Sequence, residues 1–400
     1  MKQLVLQLTG EGGLLAGVPY PLAAALAMLV FGAIVVFVFV LPVAGVTSWL
    51  ERRVWARIQS RVGPNRVGPQ GFLQWLADGI KNMLKEDIIP TAADRILFSI
   101  APYLVVIGFI ATFAVIPFSS ALVIADLNIG ILYVTAVTGL VVVGVLMAGW
   151  ASNNKWSLLG GIRSAAQIVS YEIPAALSIF PIVLLTGTLS MQGIIQAQGW
   201  APWNWFLFHN PFTFTAFFIF FVAALAEGNR TPFDLPEAES ELVAGFCTEY
   251  SGMRYLLFFL AEWGNLYVIG AIVTTLFLGG WQVPHVTDNP FVLAVLQFGV
   301  FFVKSYFWVF IAMWVRATLP RVRVDQLMSL CWLYMVPIAI VNLVGTAIWM
   351  MVVPAGLDRV VQMLMTLGGA AIVVGFFGRV RFHLRRAKLR DVDYYYSPII

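Results

Sequence analysis

Six carboxylates crowd into residues 227–249, although only 11% of the residues in the whole chain are charged. They are Glu227, Asp234, Glu237, Glu239, Glu241 and Glu249, and the single base among them is Arg230. Carboxylates beside apolar segments are costly to desolvate, and close neighbours repel one another when ionised, so their pKa values rise and spread. The segment therefore predicts a cluster that can hold and pass protons near neutral pH.

An ordinary solvated helix start is the alternative interpretation of the same segment. Asp234 has the character of an N-cap, Pro236 of a first-turn residue, and Glu237 follows three positions after the cap. Glu237 and Glu241 would then share a helix face, while Glu239 would point elsewhere. The helix dipole would favour two or three acids at such a start, but it does not account for all six beside Arg230.

Three charged residues fall inside apolar segments, namely Glu172, Glu262 and Lys304. A charge within a membrane helix faces the bundle interior, where it pairs with another group or conducts ions. A structural ion pair, such as Lys304 with an acid, is one alternative for each of them. Taken with the acidic segment, the set predicts a polar route from one membrane surface toward the middle of the bilayer.

The elements that must position these groups are long apolar helices. The chain has 400 residues, of which 60% are hydrophobic, and this composition predicts an all-α polytopic integral membrane protein. The apolar runs are too long, and alternate too little, for a β-barrel. Nine runs reach about 20 residues, the length that spans a bilayer, and they cover residues 22–50, 96–117, 129–150, 162–187, 206–227, 254–280, 291–315, 330–353 and 360–378.

The basic residues predict the direction of the chain across the membrane. Nearly all Lys and Arg follow the first, third, fifth, seventh and ninth runs, whereas Lys2 and Arg359 lie on the other side. The positive-inside rule then places the N-terminus outside and the C-terminus in the cytoplasm. The two long connections, 51–95 and 228–253, would both be cytoplasmic, in one membrane domain that comprises residues 1–400.

The first long connection carries an amphipathic pattern. Two Gly-Pro turns lie within residues 61–69, and apolar residues then recur at helical spacing over 70–86. The pattern predicts a helix along the membrane surface. It can be a simple interfacial anchor, or it can flank an opening through which an apolar molecule enters from the bilayer. Asp78, an acid among apolar neighbours, favours the second interpretation.

Ligands for a redox centre do not occur at any useful spacing. The chain has two cysteines, Cys247 and Cys331, and three histidines, His209, His285 and His383, all of which fall in predicted loops or the tail. This pattern fits no zinc, iron–sulfur or bis-histidine haem site, and no glycine-rich nucleotide loop follows a strand. If the protein takes part in electron transfer, a partner must bring the electrons.

The motifs taken together resemble one family, the H subunits of bacterial NADH–quinone oxidoreductase (respiratory complex I), whose mitochondrial counterpart is subunit 1. The resemblance runs in order over residues 45–353. It is carried by Glu51–Arg52–Arg53, Arg61-x-Gly-Pro-Asn-Arg-x-Gly-Pro69, Ala77–Asp78–Gly79, Lys85–Glu86–Asp87, Gly149–Trp150–Ala151–Ser152–Asn153, Ser170–Tyr171–Glu172, Arg230–Thr231–Pro232–Phe233–Asp234–Leu235 and Thr248–Glu249–Tyr250.

The resemblance implies a location where the peripheral arm meets the membrane arm of a proton-translocating enzyme in the bacterial inner membrane. Residues lining or bordering the quinone chamber would be Arg52, Asp78, Arg230, Phe233, Asp234 and Glu237. The proton path would use Glu172, Glu227, Glu239, Glu241, Glu249, Glu262 and Lys304. Quinone would be the substrate, and FMN and iron–sulfur clusters would reside in partner subunits, with no cofactor in this chain and no nucleic-acid partner.

Several features depart from the family pattern. Cys247 stands where relatives often have Asn or His, and the third apolar run has no charge near Gly139, where some relatives have an acid. The region 354–400, with a ninth apolar run and a basic tail, extends beyond the usual eight-helix core.

Three other functions compete with this one. The first is that of the homologous membrane subunit in a membrane-bound hydrogenase or ferredoxin-linked complex. An ion-coupled transporter would be expected to have internal repeats, which are not evident, and an inert scaffold would leave the six acids unexplained.

Overall fold

The computed structural model describes residues 19–236, 239–284, 287 and 289–389, and the regular structure within these residues is helical throughout. Fourteen α-helices are labelled here in chain order. They are α1 (Tyr20–Val35), α2 (Leu41–Ile58), α3 (Gln74–Leu84), α4 (Arg95–Thr112), α5 (Gly130–Ala151), α6 (Lys155–Thr186), α7 (Met191–Ala197), α8 (Pro211–Glu227), α9 (Glu239–Leu242), α10 (Gly252–Phe277), α11 (Pro290–Thr318), α12 (Val324–Ser329), α13 (Val336–Val352) and α14 (Ala355–Leu389).

Eight helical runs within the described residues are long and apolar enough to cross a membrane, and α8 is a shorter apolar helix. Two of the crossings are composite, because π-helical turns at Val36–Val40 and Leu330–Met335 join α1 to α2 and α12 to α13. The prediction of an all-α polytopic membrane protein with about nine crossings is confirmed. The direction of the chain across the membrane stays a prediction.

Polar caps move two helix starts away from the predicted boundaries. Helix α6 begins at Lys155 rather than 162, because the Asn154 side chain accepts a hydrogen bond from Trp156 N. Helix α8 begins at Pro211 rather than 206, because Asn210 and Thr213 form a reciprocal capping box. Hydropathy alone locates the apolar stretch but not the capping atoms.

The central helix of the bundle is α6. It is 32 residues long and contains Pro174 and Pro181 in its interior. Its polar side chains bind neighbouring elements: Gln167 donates to the backbone oxygens of Ala226 and Phe233, both at 2.7 Å. These bonds fix the end of α8 and the start of the acidic segment against α6.

Four connections meet at one end of the bundle, which we call the connection face. They comprise residues 59–94, 152–154, 228–236 with 239–251, and 319–323. Hydrogen bonds join them across the sequence, as in Asp94 N to Ala151 O at 3.0 Å and Asn154 Nδ2 to Glu249 Oε1 at 2.5 Å. The predicted amphipathic helix, α3, forms here with Leu76, Ile80, Met83 and Leu84 exposed.

The predicted helix start at Asp234 is wrong. Residues 234 and 235 are not helical, and the short helix α9 begins only at Glu239. The Asp234 carboxylate instead accepts a hydrogen bond from Arg321, which lies between α11 and α12. A charged partner from a distant part of the chain therefore replaces the local capping interaction that the sequence pattern indicates.

Helix α14 attaches to the bundle near the end opposite the connection face. The Asp358 carboxylate accepts hydrogen bonds from Trp349 Nε1 at 2.9 Å and Gln362 Nε2 at 3.0 Å. His209 Nε2 lies 3.6 Å from the same carboxylate. Burial lowers the pKa of His209 below its usual range, while Asp358 partly opposes this effect.

We expect acid to loosen the 198–210 loop. Because the folded state lowers the pKa of His209, the unfolded loop binds a proton more readily, so stability falls as the pH drops below about 6.5. Amide hydrogen exchange in the intact complex, corrected for intrinsic rates, should be faster in this loop at about pH 5.5 than at about pH 7.5. His209→Gln should remove the difference, and an equal difference in both proteins would contradict this assignment.

Candidate functional site

Four charged side chains from separate elements form a buried network behind the connection face. Arg230 Nη1 lies 3.1 Å from Glu51 Oε1 and 3.2 Å from Glu262 Oε1. Arg316 Nη1 lies 2.5 Å from Glu51 Oε1 and 3.9 Å from Glu262 Oε1. Arg230 is only 1% exposed. Because two acids face two bases, the network is neutral when all four are charged.

The positions of these residues explain why they meet. Glu51 lies in α2, Glu262 in α10 and Arg316 near the end of α11, whereas Arg230 follows α8 directly. The guanidinium of Arg316 also lies over the Trp55 ring at 4.7 Å, which orients it toward the acids. The network thus joins three helices of the bundle to the acidic segment.

A second ion pair extends the network toward solvent. Arg321 Nη2 lies 3.1 Å from Asp234 Oδ2, with 34% of the arginine side chain exposed. Burial raises the pKa of Asp234 above its usual range, and the nearby guanidinium groups, Arg321 first and then Arg316 and Arg230, oppose that rise. Asp234 is therefore a carboxyl group whose protonation depends on how closely these arginines approach.

The amphipathic helix α3 is tied to the residue next to Glu51. Arg52 Nη1 donates to Asp78 Oδ2 at 2.6 Å, and Gln74 Nε2 donates to Asp78 Oδ1 at 2.9 Å. The Arg52 guanidinium also lies 5.9 Å from the centre of the Trp263 ring, one residue beyond Glu262. A change in the position of α3 is thereby coupled to both α2 and α10.

A cavity extends from Glu262 of the network into the bundle, with Glu227 and Asn265 also in its wall. A second, more open cavity is lined by Glu227, Glu172 and Thr138. The structure therefore brings together three of the acids assigned to the proton path, Glu262, Glu227 and Glu172, along adjoining hollow space.

Other acids of the segment are placed apart from this route. Glu249 accepts from Asn154, and Glu241 pairs with Arg163 at 2.6 Å with 57% of its side chain exposed. Helix α9 begins at Glu239, and Glu237 lies outside the described residues. The common helix face expected for Glu237 and Glu241 therefore stays a prediction.

Lys304 makes no ion pair with a carboxylate in the described part of the chain. Its Nζ donates to the carbonyl oxygens of Leu278 at 2.8 Å and Gly280 at 3.2 Å, and it lies 4.8 Å from the centre of the Trp205 ring. The suggested pairing with an acid is wrong, because the carbonyls at the end of α10 offer nearer acceptors. The structure does not join Lys304 to the three acids of the cavities.

Phe233, which is predicted to border the chamber, is a buried residue. It is 5% exposed, and its ring centre lies 5.8 Å from that of Tyr171. It packs in the core between α6 and the acidic segment, where it supports the backbone that carries Asp234.

Sequence reasoning misses Glu51, Arg316 and Arg321 as site residues. In the sequence, Glu51 stands out only as part of the Glu51–Arg52–Arg53 motif. The two arginines serve there only as positive charges that indicate the direction of the chain across the membrane. A signal is present, because each lies where an apolar run meets a connection. What identifies them is the ion pairing between residues more than 80 positions apart.

Comparisons with known proteins agree with this arrangement. A model of the NADH dehydrogenase family matches residues 31–347. The NADH-quinone oxidoreductase H subunit of Anaeromyxobacter dehalogenans is 54% identical over 371 residues, which cover 88% of this chain and 87% of that protein. The H subunit of Chlorobium luteolum is 47% identical over 84% of this chain and 92% of that protein. The H subunit numbered 2 of Geobacter metallireducens is 44% identical over 82% of this chain and 96% of that protein.

Proposed function

We propose a role in quinone reduction and proton translocation for this chain, which belongs to the NADH dehydrogenase family and, within it, to the H subunits of NADH–quinone oxidoreductase. The chain is a multi-pass protein of the bacterial inner membrane and a membrane subunit of that oxidoreductase complex. Its partners are other subunits of the complex. The names of the relatives do not favour the alternative of a hydrogenase-type assembly.

The proposed quinone chamber lies on the connection face and would be completed by subunits of the peripheral arm. Helix α3 has exposed apolar residues, which suit the entrance of a molecule with an apolar tail from the bilayer. Behind it, Arg52 and Asp78 form a polar border, with Arg52 Nη1 lying 2.6 Å from Asp78 Oδ2. A quinone head group would meet charged donors there after passing an apolar rim.

The observation that carries the proposal is the buried Glu51–Arg230–Glu262–Arg316 network. Reduction of a quinone to a quinol consumes two electrons and two protons, so it changes the charge and proton demand beside the network. A low dielectric strengthens the response of buried ion pairs to such a change. Glu262 belongs both to the network and to the wall of the cavity that Glu227 also lines, so it connects the network to that space.

The electrons would come from FMN and iron–sulfur clusters in partner subunits. This chain would supply binding surface, positioning and proton transfer, which places its role in the translocase class without a redox centre of its own. The acid route would run from the connection face, on the cytoplasmic side, toward the membrane arm.

Glu227→Gln tests the coupling role. The amide keeps the shape of the side chain but cannot ionise, so we expect NADH–quinone turnover and proton uptake into inverted vesicles to fall more than about tenfold. NADH–ferricyanide activity, which needs only the peripheral arm, should stay at the level of the unmodified complex.

Asp126→Asn is the matched control. Asp126 is an acid in the connection between α4 and α5, on the opposite face, where Ser190 Oγ lies 3.4 Å from it. It should leave all three activities unchanged. A Glu227→Gln complex that assembles and pumps protons normally would show that the acid route is not used.

A further inference from the structure

The two cavities share a wall. One contains Glu262 and the other Glu172, and both are lined by Glu227 of α8 and Thr138 of α5. Helix α5 contributes no ionisable carboxyl, base or histidine between Gly130 and Ala151. Thr138 is therefore the polar group that α5 offers at the position where the two hollow spaces meet.

The Thr138 hydroxyl has one hydrogen-bond partner among the residues that the structure describes and shares the walls of both cavities with a carboxyl group. Its Oγ1 donates to the backbone oxygen of Thr135 at 3.0 Å, one turn earlier in α5. The Glu227 carboxyl lines the same two cavities beside it. A hydroxyl has one proton to donate and two lone pairs to accept with, so it cannot donate to the Thr135 carbonyl and to the Glu227 carboxylate at once.

Two arrangements follow from this competition. When Glu227 is ionised, the hydroxyl proton is best directed at the carboxylate, because hydrogen bonds to charged acceptors are the stronger ones. When Glu227 is protonated, its O–H donates to Thr138 Oγ1, and the hydroxyl proton returns to the Thr135 carbonyl or to water in the adjoining cavity. The orientation of one hydroxyl thus reports and transmits the protonation state of Glu227.

We propose that the Thr138 hydroxyl is a relay group that passes protons between the Glu262 cavity and the Glu172 cavity through Glu227. The proposal rests on the function proposed above. In the transfer step the O–H bond of the Glu227 carboxylic acid breaks and a new O–H bond forms on Thr138 Oγ1. In the same step Oγ1 gives its original proton to a water molecule in the Glu172 cavity.

The proton transfer conserves protons and charge, and the hydroxyl returns to its starting orientation by rotation. Glu227 loses one proton, the water gains one, and Thr138 remains neutral, with no electron transferred. Rotation about the Cβ–Oγ1 bond of Thr138 then restores the starting orientation, and its bond to the Thr135 carbonyl keeps the hydroxyl satisfied meanwhile. A helix without a charged residue can serve the route in this way.

The test compares Thr138→Val with Thr138→Ser in the whole complex, reconstituted in proteoliposomes. Valine keeps the volume and removes the hydroxyl, so we expect NADH–quinone turnover and proton uptake to fall at least about fivefold, with NADH–ferricyanide activity unchanged. Serine restores the hydroxyl and should return both to within about twofold of the unmodified complex. The solvent deuterium isotope effect on turnover should rise in the valine variant and return to normal in the serine variant.

Two further variants keep the test decisive. Thr138→Ala removes the hydroxyl without adding bulk and replaces valine if that variant assembles poorly. Gly139→Ala disturbs the same part of α5 where a Cβ meets nothing within 4 Å, and it should behave as the unmodified complex.

The outcomes separate the relay from the function on which it rests. Full turnover and proton uptake in the hydroxyl-free variants, or a serine variant as impaired as they are, would overturn the relay. If Glu227→Gln is impaired while the hydroxyl-free variants are normal, the relay alone fails. If Glu227→Gln is normal as well, the acid route itself fails.

Discussion

Arg230→Met is expected to lower the amount of assembled, active complex severely. The substitution leaves Glu51 and Glu262 with Arg316 as their only partner in the network, and Arg230 is 1% exposed, so water cannot take its place. Breaking a buried pair by removing one partner costs about 3–5 kcal/mol. Native gels stained for NADH oxidation and NADH–quinone turnover of isolated membranes measure the loss.

A double variant separates charge balance from shape. Glu51→Gln combined with Arg230→Met leaves one acid facing one base, so it should recover part of the assembly that the single variant loses. Arg163→Met is the exposed control, because its partner Glu241 is 57% exposed and such pairs contribute at most about 1 kcal/mol. A double variant no better than the single one would contradict the role of charge pairing.

Gly160→Ala is expected to displace the acidic segment and to reduce quinone turnover by about tenfold or more. A Cβ at Gly160 would lie 2.7 Å from both Gly245 Cα and Phe246 N, which are backbone atoms that cannot rotate away. Overpacking of this kind costs about 1–3 kcal/mol, and small misplacements near a reaction site can cost about a hundredfold in rate.

Hydrogen exchange measures the structural part of this prediction. Amides of residues 239–250 should exchange faster in the Gly160→Ala complex, because the turn at Gly245–Cys247 no longer docks on α6. Gly139→Ala is again the matched control, since its helix position has open space. Unchanged exchange and turnover in the Gly160→Ala complex would mean that the contact between α6 and this turn tolerates a methyl group.

The local sequence contains the evidence for the elements themselves. Apolar runs of bilayer length predict the crossings, and the helical spacing after Pro69 predicts α3. Both predictions rest on periodic burial of side chains, which is a property of neighbouring residues. The boundaries at Asn154 and Asn210 escape this reasoning, because a cap depends on a single side-chain hydrogen bond rather than on mean hydropathy.

The functional residues also divide into those that the local sequence identifies and those that it does not. Glu172, Glu227 and Glu262 are recognisable as charges at or near apolar segments, because burying a carboxylate there demands a purpose. The prediction for Asp234 is wrong, because its sequence neighbours suit a helix cap while its actual partner, Arg321, lies 87 positions away. The local sequence pattern cannot show whether the Asp234 carboxylate accepts a hydrogen bond from a nearby backbone amide or from the guanidinium of a distant arginine.

By itself the sequence determined the class of protein, about nine apolar crossings and the resemblance to its family, and it marked the acids proposed for a proton route. Only the tertiary structure decided that Glu51 and Arg316 complete the Arg230 network, that Lys304 caps carbonyls instead of pairing with an acid, and that Thr138 stands between two cavities. The physical reason is the range of the interactions. Hydrophobic periodicity is written into consecutive residues, whereas ion pairs, cavities and shared hydrogen bonds exist only after distant helices have packed.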